Sequence, residues 1–256
     1  MLEIFHPGDF DIALMVFDVF VLFFIGLVLY LRREDRREGY PLEDDVHGRL
    51  EPAGGLLFSA KPKTFTLAHG GTVTKPDGKR DDRELAAKRT SPAPGSPLEP
   101  TGDPMMAGVG PGSFATRAKT PDMLVGHGPK ITPLRIAEGF SIDPKDPDPR
   151  GMKVIGADGV VAGEVSDVWI DRGEVLIRYI EVKLPDGRPV LAPMPLCKVK
   201  KSTRTIEVGA ILGGQFAKVP ALASPDQITF DEEERVAAFF GAGLLYATSR
   251  RAEPLL

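Results

Sequence analysis

Residues 12–31 read IALMVFDVFVLFFIGLVLYL, and residues 32–38 read RREDRRE. A helix of twenty residues, rising about 1.5 Å per residue, extends roughly 30 Å, which is the thickness of the hydrocarbon core of a bilayer. Asp18 is the single charged residue of the apolar run. The sequence therefore predicts one transmembrane α-helix over residues 12–33, which anchors a polar remainder of about 220 residues.

The charges that flank this run predict its direction. Four arginines follow the run, whereas residues 1–11 contain neither arginine nor lysine. Basic residues close to the end of a membrane helix stay on the cytoplasmic side. We therefore expect residues 1–11 to form a periplasmic tail and the C-terminal part to face the cytoplasm. A cleaved signal peptide is the competing interpretation, but it requires a basic N-terminal region and a small-residue cleavage site.

Asp18 leaves two interpretations open. A bare carboxylate within a membrane helix costs about 3 kcal/mol on insertion scales, so intramembrane acids usually face protein. Asp18 either contacts a neighbouring membrane subunit or lies near the outer interface, protonated or hydrated.

Composition excludes several classes of function. The net charge of −4 and the pI near 5.7 give no reason to expect nucleic acid as a partner, because phosphate binding requires a basic surface. Cys197 is the single cysteine, and nothing in the sequence supports it as a nucleophile. The four histidines lack zinc-ligand spacing, and no phosphate-binding loop is present. We expect no catalytic residue, no cofactor-binding residue, no metal site and no enzymatic activity in this chain.

The remainder of the chain divides into two parts. Residues 34–130 are rich in glycine and proline, and they predict an extended surface segment laid on a partner, with disorder as the alternative. Residues 131–256 predict a mostly-β cytoplasmic globular domain. Within it, short strands joined by Asp-Gly turns indicate a small antiparallel β-barrel over about 147–220. Acidic residues before an apolar run predict a C-terminal helix over about 231–248.

Asp171 and Glu174 flank a turn after the strand that contains Trp169. On the residues alone, these are two solvated turn acids.

Several motifs, in colinear order, carry a resemblance to a known family. The longest is YLRREDRREGYPLE, at residues 30–43, directly after the membrane helix. The others are PKTF (62–65), PTGDP (100–104), VGP (109–111), DPRG (148–151), DVWID (167–171) and GAGLLYA (241–247). The chain resembles the H subunit of the purple-bacterial photosynthetic reaction centre, and residues 150–210 resemble the PRC-barrel.

The resemblance implies a structural and proton-transfer subunit of an electron-transfer complex. Such a subunit caps the cytoplasmic face of the L and M subunits, shields the quinone sites from water, and carries part of the proton path to the secondary quinone. Bacteriochlorophyll, bacteriopheophytin, quinones, non-haem iron and carotenoid are expected on L and M. A cytochrome subunit and a core light-harvesting antenna stay open as further partners. The implied location is the bacterial inner, intracytoplasmic photosynthetic membrane.

The resemblance also implies roles for particular residues. Asp171 and Glu174 fall on carboxylates of the proton path, and Arg178 falls on a basic position of the same cluster. A carboxylate beside a buried quinone is expected to have a raised pKa because of desolvation and neighbouring acids. The family's proton-uptake surface reads Asp-Gly-His-Gly-His, whereas residues 125–129 here read VGHGP. His127 is retained, and Asp122 is a nearby substitute for the lost acid.

The basic residues after the membrane helix have a further expected role. Arg32, Arg33, Arg36 and Arg37 lie at headgroup level, where each cation contributes about 1 kcal/mol to binding of anionic lipid. The alternative is that these arginines only set the orientation of the membrane helix, and both roles are compatible. The rival interpretation of the whole chain is a membrane-tethered PRC-barrel adaptor with no photosynthetic role, which would copurify without pigment. An RNA-associated barrel protein is a second rival, and the acidic pI argues against it.

Overall fold

The structure, a computed structural model, describes residues 11–40, 42–43, 50–51, 60–68, 70–79, 83–126 and 128–252. It divides into a first unit (Met1–Arg83 and Pro92–Gly95) and a second unit (Glu84–Ser91 and Ser96–Leu256).

The first unit begins with α1 (Ile12–Glu34), and a 3₁₀ turn (Asp35–Arg37) follows it. The side chain of Asp11 caps the helix, because its Oδ1 accepts from the backbone N–H groups of Ala13 and Leu14 at 2.9 and 3.1 Å. No residue of α1 is buried. Within the described part of the chain, it is the one helix long and apolar enough to cross a membrane. The apolar run therefore forms the helix that the sequence predicted.

Short antiparallel hairpins follow α1 in the first unit. The strands are β1 (Leu42–Glu43), β2 (Leu50–Glu51), β3 (Lys63–Thr66) and β4 (Thr72–Lys75), and they pair as β1–β2 and β3–β4. Arg37 ties this segment together: its side chain donates to Glu34 and to the backbone carbonyls of Lys61 and Lys75.

The second unit is mostly β. Two further hairpins precede its main sheet: β5 (Ala87–Arg89) with β6 (Leu98–Pro100), and β7 (Met123–Leu124) with β8 (Gly128–Pro129). The seven strands of the main sheet are β9 (Ile131–Pro133), β10 (Lys153–Ile155), β11 (Val161–Asp171), β12 (Leu176–Lys183), β13 (Pro189–Pro193), β14 (Cys197–Lys200) and β15 (Thr205–Val208). Short 3₁₀ helices lie at Gly110–Gly112, Leu134–Ile136, Met194–Leu196 and Gly213–Lys218.

The main sheet has the order β13-β12-β11-β10-β15-β14, and β9 pairs with the far end of β11. The Asp-Gly turns fall where the sequence predicted them, with Gly159 and Gly187 in the left-handed region. Two features differ from a simple antiparallel barrel. The β10–β15 pairing is parallel, and in the described residues no pairing joins β13 to β14, so the sheet is not closed.

The core of the second unit lies between this sheet and α2 (Phe230–Tyr246). Trp169, Phe216 and Phe240 are its largest fully buried side chains. Thr229 and Glu232 form a capping box at the start of α2. A Cβ on Gly243 would lie 2.4 Å from Ile211, so a glycine permits the close approach of α2 to the sheet. The first turn of α2 lies beside β12, where the Tyr179 hydroxyl donates to Glu233.

Candidate functional site

The turn between β11 and β12 fixes the first acid of the site. Asp171 is the last residue of β11, and its side chain is 0% exposed. Its Oδ1 accepts from the backbone N–H groups of Gly173 and Glu174, both at 3.0 Å. An Asp side chain that bonds the backbone two residues ahead stabilises a tight turn. Asp171 is therefore both buried and held in one orientation.

The second oxygen of Asp171 faces two cations. Its Oδ2 lies 3.3 Å from Lys130 Nζ and 3.4 Å from Arg178 Nη2. Among the described residues, no hydrogen bond of good geometry reaches this oxygen. A buried carboxylate is tolerated when opposite charges offset its desolvation, and Lys130 and Arg178 supply those charges beside Asp171.

The same two cations extend the cluster to Glu174 and Asp122. Glu174 Oε1 lies 3.3 Å from Lys130 Nζ and 3.8 Å from Arg178 Nη2, and its side chain is 50% exposed. Asp122 Oδ2 lies 3.9 Å from Lys130 Nζ. We call Asp122, Lys130, Asp171, Glu174 and Arg178 the ion-pair cluster. It links a fully buried carboxylate to a half-exposed one through shared cations.

Lys130 is the centre of this cluster, and backbone hydrogen bonds position it. Its N–H donates to the carbonyl of Asp122 at 2.7 Å, and its carbonyl accepts from Arg172 N at 2.9 Å. Burial lowers the pKa of Lys130, but its contacts with Glu174 and Asp171 outweigh burial, and the net pKa is raised. Lys130 is therefore charged across the physiological range.

A cavity of about 700 Å³ opens beside the ion-pair cluster. Its wall includes Asp122, Lys130, Arg178, Tyr179 and Glu233. The Tyr179 hydroxyl donates to Glu233 Oε2 at 3.0 Å. Burial, together with the negative charge of Asp122, raises the pKa of the Glu233 carboxyl, against the lowering effects of Tyr179, Arg178 and Lys130. Burial also raises the pKa of the Tyr179 hydroxyl.

Exposed apolar side chains lie in the turn and in the hairpin beside it. Val125 is 96% exposed, Val175 72% and Met123 48%. The β7–β8 hairpin, with Met123 and Val125, lies against the turn, because a Cβ on Gly173 would contact Leu124 at 3.2 Å. We call Met123, Val125 and Val175 the apolar rim. Exposed apolar residues gathered around a polar centre are typical of an interaction surface.

The structure brings together four of the residues singled out in the sequence. Asp171, Glu174, Arg178 and Asp122 share the ion-pair cluster. His127 lies outside the described residues, and its role stays a prediction.

The four arginines after the membrane helix belong to the first unit. Arg32 is exposed and lies 3.8 Å from Asp35, Arg36 stacks over Tyr40 at 5.4 Å, and Arg37 bonds Glu34. The Nε of Arg33 is buried and has no hydrogen-bond acceptor among the described residues.

Sequence reasoning missed Lys130, Tyr179 and Glu233. Lys130 is one of many lysines, and only the pairing of β9 with β11 places it beside Asp171. Tyr179 reads as a core residue of a strand, and Glu233 reads as one of four acids at a helix start. Glu233 and Tyr179 are 54 positions apart, so no local pattern of the sequence indicates their contact.

The side chains of this cluster are titratable. Carboxylates of different burial share two cations, so a charge change on one carboxylate alters the proton affinity of the others. No group of three or more histidine, cysteine, aspartate or glutamate side chains placed to hold a metal ion occurs in the described part of the chain. Burial raises the pKa of Cys197 to about 12, so its thiol is a poor nucleophile.

Two family models match the chain. Residues 4–136, just over half of the chain, match the model described as "Photosynthetic reaction centre, H-chain N-terminal region". Residues 145–212 match the model of the PRC-barrel domain. The two matches follow each other without overlap, and the second covers β10 to β15.

Proposed function

This chain belongs to the H-chain family of photosynthetic reaction centres, and we propose that its ion-pair cluster carries protons to a quinone in the membrane core of that complex. The family is a structural subunit of the reaction centre, not an enzyme by itself. One observation carries the proposal: buried Asp171 and half-exposed Glu174 share the cations Lys130 and Arg178.

Proton delivery explains why such a cluster is useful. A quinone that is reduced to a quinol takes up two electrons and two protons, and its site must exclude bulk water. Protons therefore move between titratable groups that differ in exposure. Glu174 reaches solvent, whereas Asp171 does not. We infer that Glu174 exchanges with water and that Asp171 belongs to the buried end of the path.

The partners follow from the same proposal. We assign the L and M subunits as the proteins that this chain caps, with the apolar rim of Met123, Val125 and Val175 at the contact. Closing this rim against a partner removes the quinone sites from water. Bacteriochlorophyll, bacteriopheophytin, quinones, non-haem iron and carotenoid are assigned to L and M. A cytochrome subunit and a core antenna are further candidates for the assembly.

The membrane placement is part of the proposal. The chain is membrane-anchored through α1, and we propose the bacterial inner, intracytoplasmic photosynthetic membrane, with residues 1–11 in the periplasm. The basic residues that end α1 favour contact with anionic lipid. Arg32 is exposed, so it is a candidate for headgroup contact.

The test of the proton path is Glu174→Gln in the assembled, tag-purified complex. Glutamine retains the shape of the side chain but cannot release a proton at neutral pH. We expect the second, proton-coupled electron transfer to the secondary quinone to slow by about 100-fold, the low end of what a positioned proton-transfer group contributes. The first charge separation should be unchanged. Flash absorption spectroscopy measures both steps.

Glu207→Gln is the matched control. Glu207 is a partly exposed carboxylate on β15 that pairs with Lys200 and does not line the cavity. Its removal should leave both electron transfers at the wild-type rate. Unchanged second-transfer kinetics in Glu174→Gln would exclude Glu174 from the path, and a tagged complex without bacteriochlorophyll bands would contradict the assembly itself.

A further inference from the structure

We propose that Glu233 is a second proton-donating residue of this path, positioned by Tyr179, and that it supplies protons from the cavity to the ion-pair cluster. The inference rests on the proposed function and extends it to a residue of α2. Glu233 lies in the first turn of the helix, whereas Asp171 and Glu174 belong to the turn between two strands. The proton path would therefore have a donor on α2 in addition to the acids of the turn.

The geometry holds the Glu233 carboxyl at the cavity wall. Tyr179 is 6% exposed, so its ring is fixed in the core. Its hydroxyl donates to Glu233 Oε2 at 3.0 Å, across 54 positions of sequence. Because the capping box of Thr229 and Glu232 fixes the preceding turn, Glu233 has little freedom to leave this contact.

The charged groups around Glu233 come from three elements. On β12, the Tyr179 hydroxyl and Arg178 lower the pKa of the Glu233 carboxyl. In the segment before β9, Asp122 raises that pKa and Lys130 lowers it. Within α2, two acidic neighbours have partners of their own: Asp231 pairs with Arg235 at 2.7 Å, and Glu234 with Arg117 at 3.5 Å.

Arg178 and Lys130 are the link between Glu233 and the cluster. Both cations also lie within 4 Å of Asp171 and Glu174. Arg178 and Lys130 both lower the pKa of Glu233. They therefore stabilise the anion that Glu233 becomes when its proton passes to an ionised carboxylate of the cluster.

The step is a proton relay with no other bond change. Protonated Glu233 breaks its O–H bond and releases the proton to cavity water, and an ionised Asp171 or Glu174 gains an O–H bond from that water. The Glu233 carboxylate then regains a proton from bulk solvent through the cavity mouth. A cavity of about 700 Å³ is large enough for such water, since one liquid water molecule takes up about 30 Å³.

Tyr179 is a positioning residue, not a donor. Its hydrogen bond stabilises the ionised form of Glu233, so Tyr179→Phe should shift the titration of Glu233 to higher pH. Glu233→Gln removes the proton altogether. The two variants therefore separate two effects. Tyr179→Phe shifts the pH at which Glu233 titrates, whereas Glu233→Gln removes the titrating carboxyl group.

The experiment uses assembled reaction centres that carry Glu233→Gln, Tyr179→Phe or Glu174→Gln, with Glu207→Gln as control. Light-induced infrared difference spectra on quinone reduction report carboxyl C=O bands, and a pH-indicator dye reports proton uptake after each flash. We expect a carboxyl band that is present in the wild type and absent in Glu233→Gln. We also expect severalfold slower proton uptake, and an upward shift of that band's pH profile in Tyr179→Phe.

The outcomes separate this inference from the proposed function. If Glu174→Gln slows uptake while Glu233→Gln has wild-type rates and an unchanged infrared spectrum, the role of Glu233 is rejected and the path through the cluster stands. If neither variant slows uptake, the proton path itself is rejected. A Glu233→Gln complex that also loses the first charge separation would assign a structural role to Glu233 and overturn its role as a donor.

Discussion

At the scale of single residues, Asp171 has two roles, and each belongs to one of its carboxylate oxygens. Oδ1 stabilises the turn through the N–H groups of Gly173 and Glu174, and Oδ2 meets Lys130 and Arg178. Because the backbone bonds fix one oxygen, the other cannot turn away from the cations. A buried carboxylate of this kind keeps its position when its charge changes, which a proton path requires.

Glu233 and Asp231 belong to the same turn of α2, yet their titrations should affect stability in opposite directions. Burial, with the nearby charge of Asp122, raises the pKa of Glu233 above its ordinary value of 4.5. The folded protein therefore loses stability as pH rises from about 4.5 through the raised pKa. Glu233→Gln removes this loss, so we expect the variant to be more stable than the wild type at neutral pH and equal to it at pH below 4.5.

The pKa shift of Asp231 is opposite in sign to that of Glu233. Burial raises the pKa of its carboxyl, but hydrogen bonds from Arg235 and from the Arg117 N–H outweigh burial, and the net pKa lies below the ordinary 3.8. Asp231 therefore stabilises the fold above pH 3.8, and this contribution is lost as pH falls through the lowered pKa. Asp231→Asn should be less stable than the wild type at neutral pH, with the difference disappearing in acid.

Urea midpoints of the detergent-solubilised chain, followed by the fluorescence of the single, fully buried Trp169, measure both effects. Equal pH dependence of the two variants would contradict the assignment of opposite shifts.

At the scale of elements, the turn after β11 is predictable in part. The apolar residues from Leu176 onward predict β12, and the break at Arg172–Gly173 predicts the turn. The contact with Lys130 is not predictable, because it depends on the pairing of Ile131 with Asp171 across 40 positions. Local pattern reports which residues can form a strand, whereas tertiary pairing decides which side chains meet.

The acids at the start of α2 also depend on tertiary packing for their contacts. Asp231 and Glu232 satisfy the expectation of acids in a first helical turn, and Glu232 completes the capping box with Thr229. Glu233 has the same local signal but bonds Tyr179 of β12 instead. Sequence alone treats the three acids as equivalent, and only the packing of α2 on the sheet distinguishes them.

The β11–β12 turn also contains a strained residue. Val175 has a φ of 55°, and its side chain is 72% exposed. A β-branched residue in the left-handed region costs on the order of 1–3 kcal/mol. Glycine removes this strain but adds freedom to the unfolded chain, so Val175→Gly should raise the free energy of unfolding by about 1 kcal/mol. In the complex, the same change removes apolar surface from the rim and should weaken binding to the membrane core.

Arg204→Gly is the matched control for this prediction. Arg204 has a φ of 49° in the exposed turn between β14 and β15. Both variants should stabilise the chain in urea titrations, but only Val175→Gly should release the chain from the complex at a lower detergent or salt concentration. Equal retention of the two variants would mean that the apolar rim does not contact the partner.

At the scale of the whole molecule, the anchor and the β-rich domain were accessible from the sequence, and the site was accessible only in part. A run of twenty residues with a single charge, followed by arginines, suffices to predict α1, because length and hydropathy are local properties. Physical reading of Asp171 and Glu174 gave two turn acids, and only the family resemblance singled them out. The open sheet with its parallel β10–β15 pair also escaped prediction, because register and direction are set by long-range packing.

Orientation is the prediction that belongs to the molecule as a whole. The proton path requires the second unit on the cytoplasmic side, and the arginines that follow α1 favour that side. In sealed inside-out vesicles, protease should therefore cleave the second unit, whereas in right-side-out vesicles of the same membranes it should be protected. Detergent should make the two preparations equally sensitive. Cleavage in right-side-out vesicles alone would place the ion-pair cluster in the periplasm, and a cytoplasmic proton path through Glu174 would then be impossible, however the cluster itself titrates.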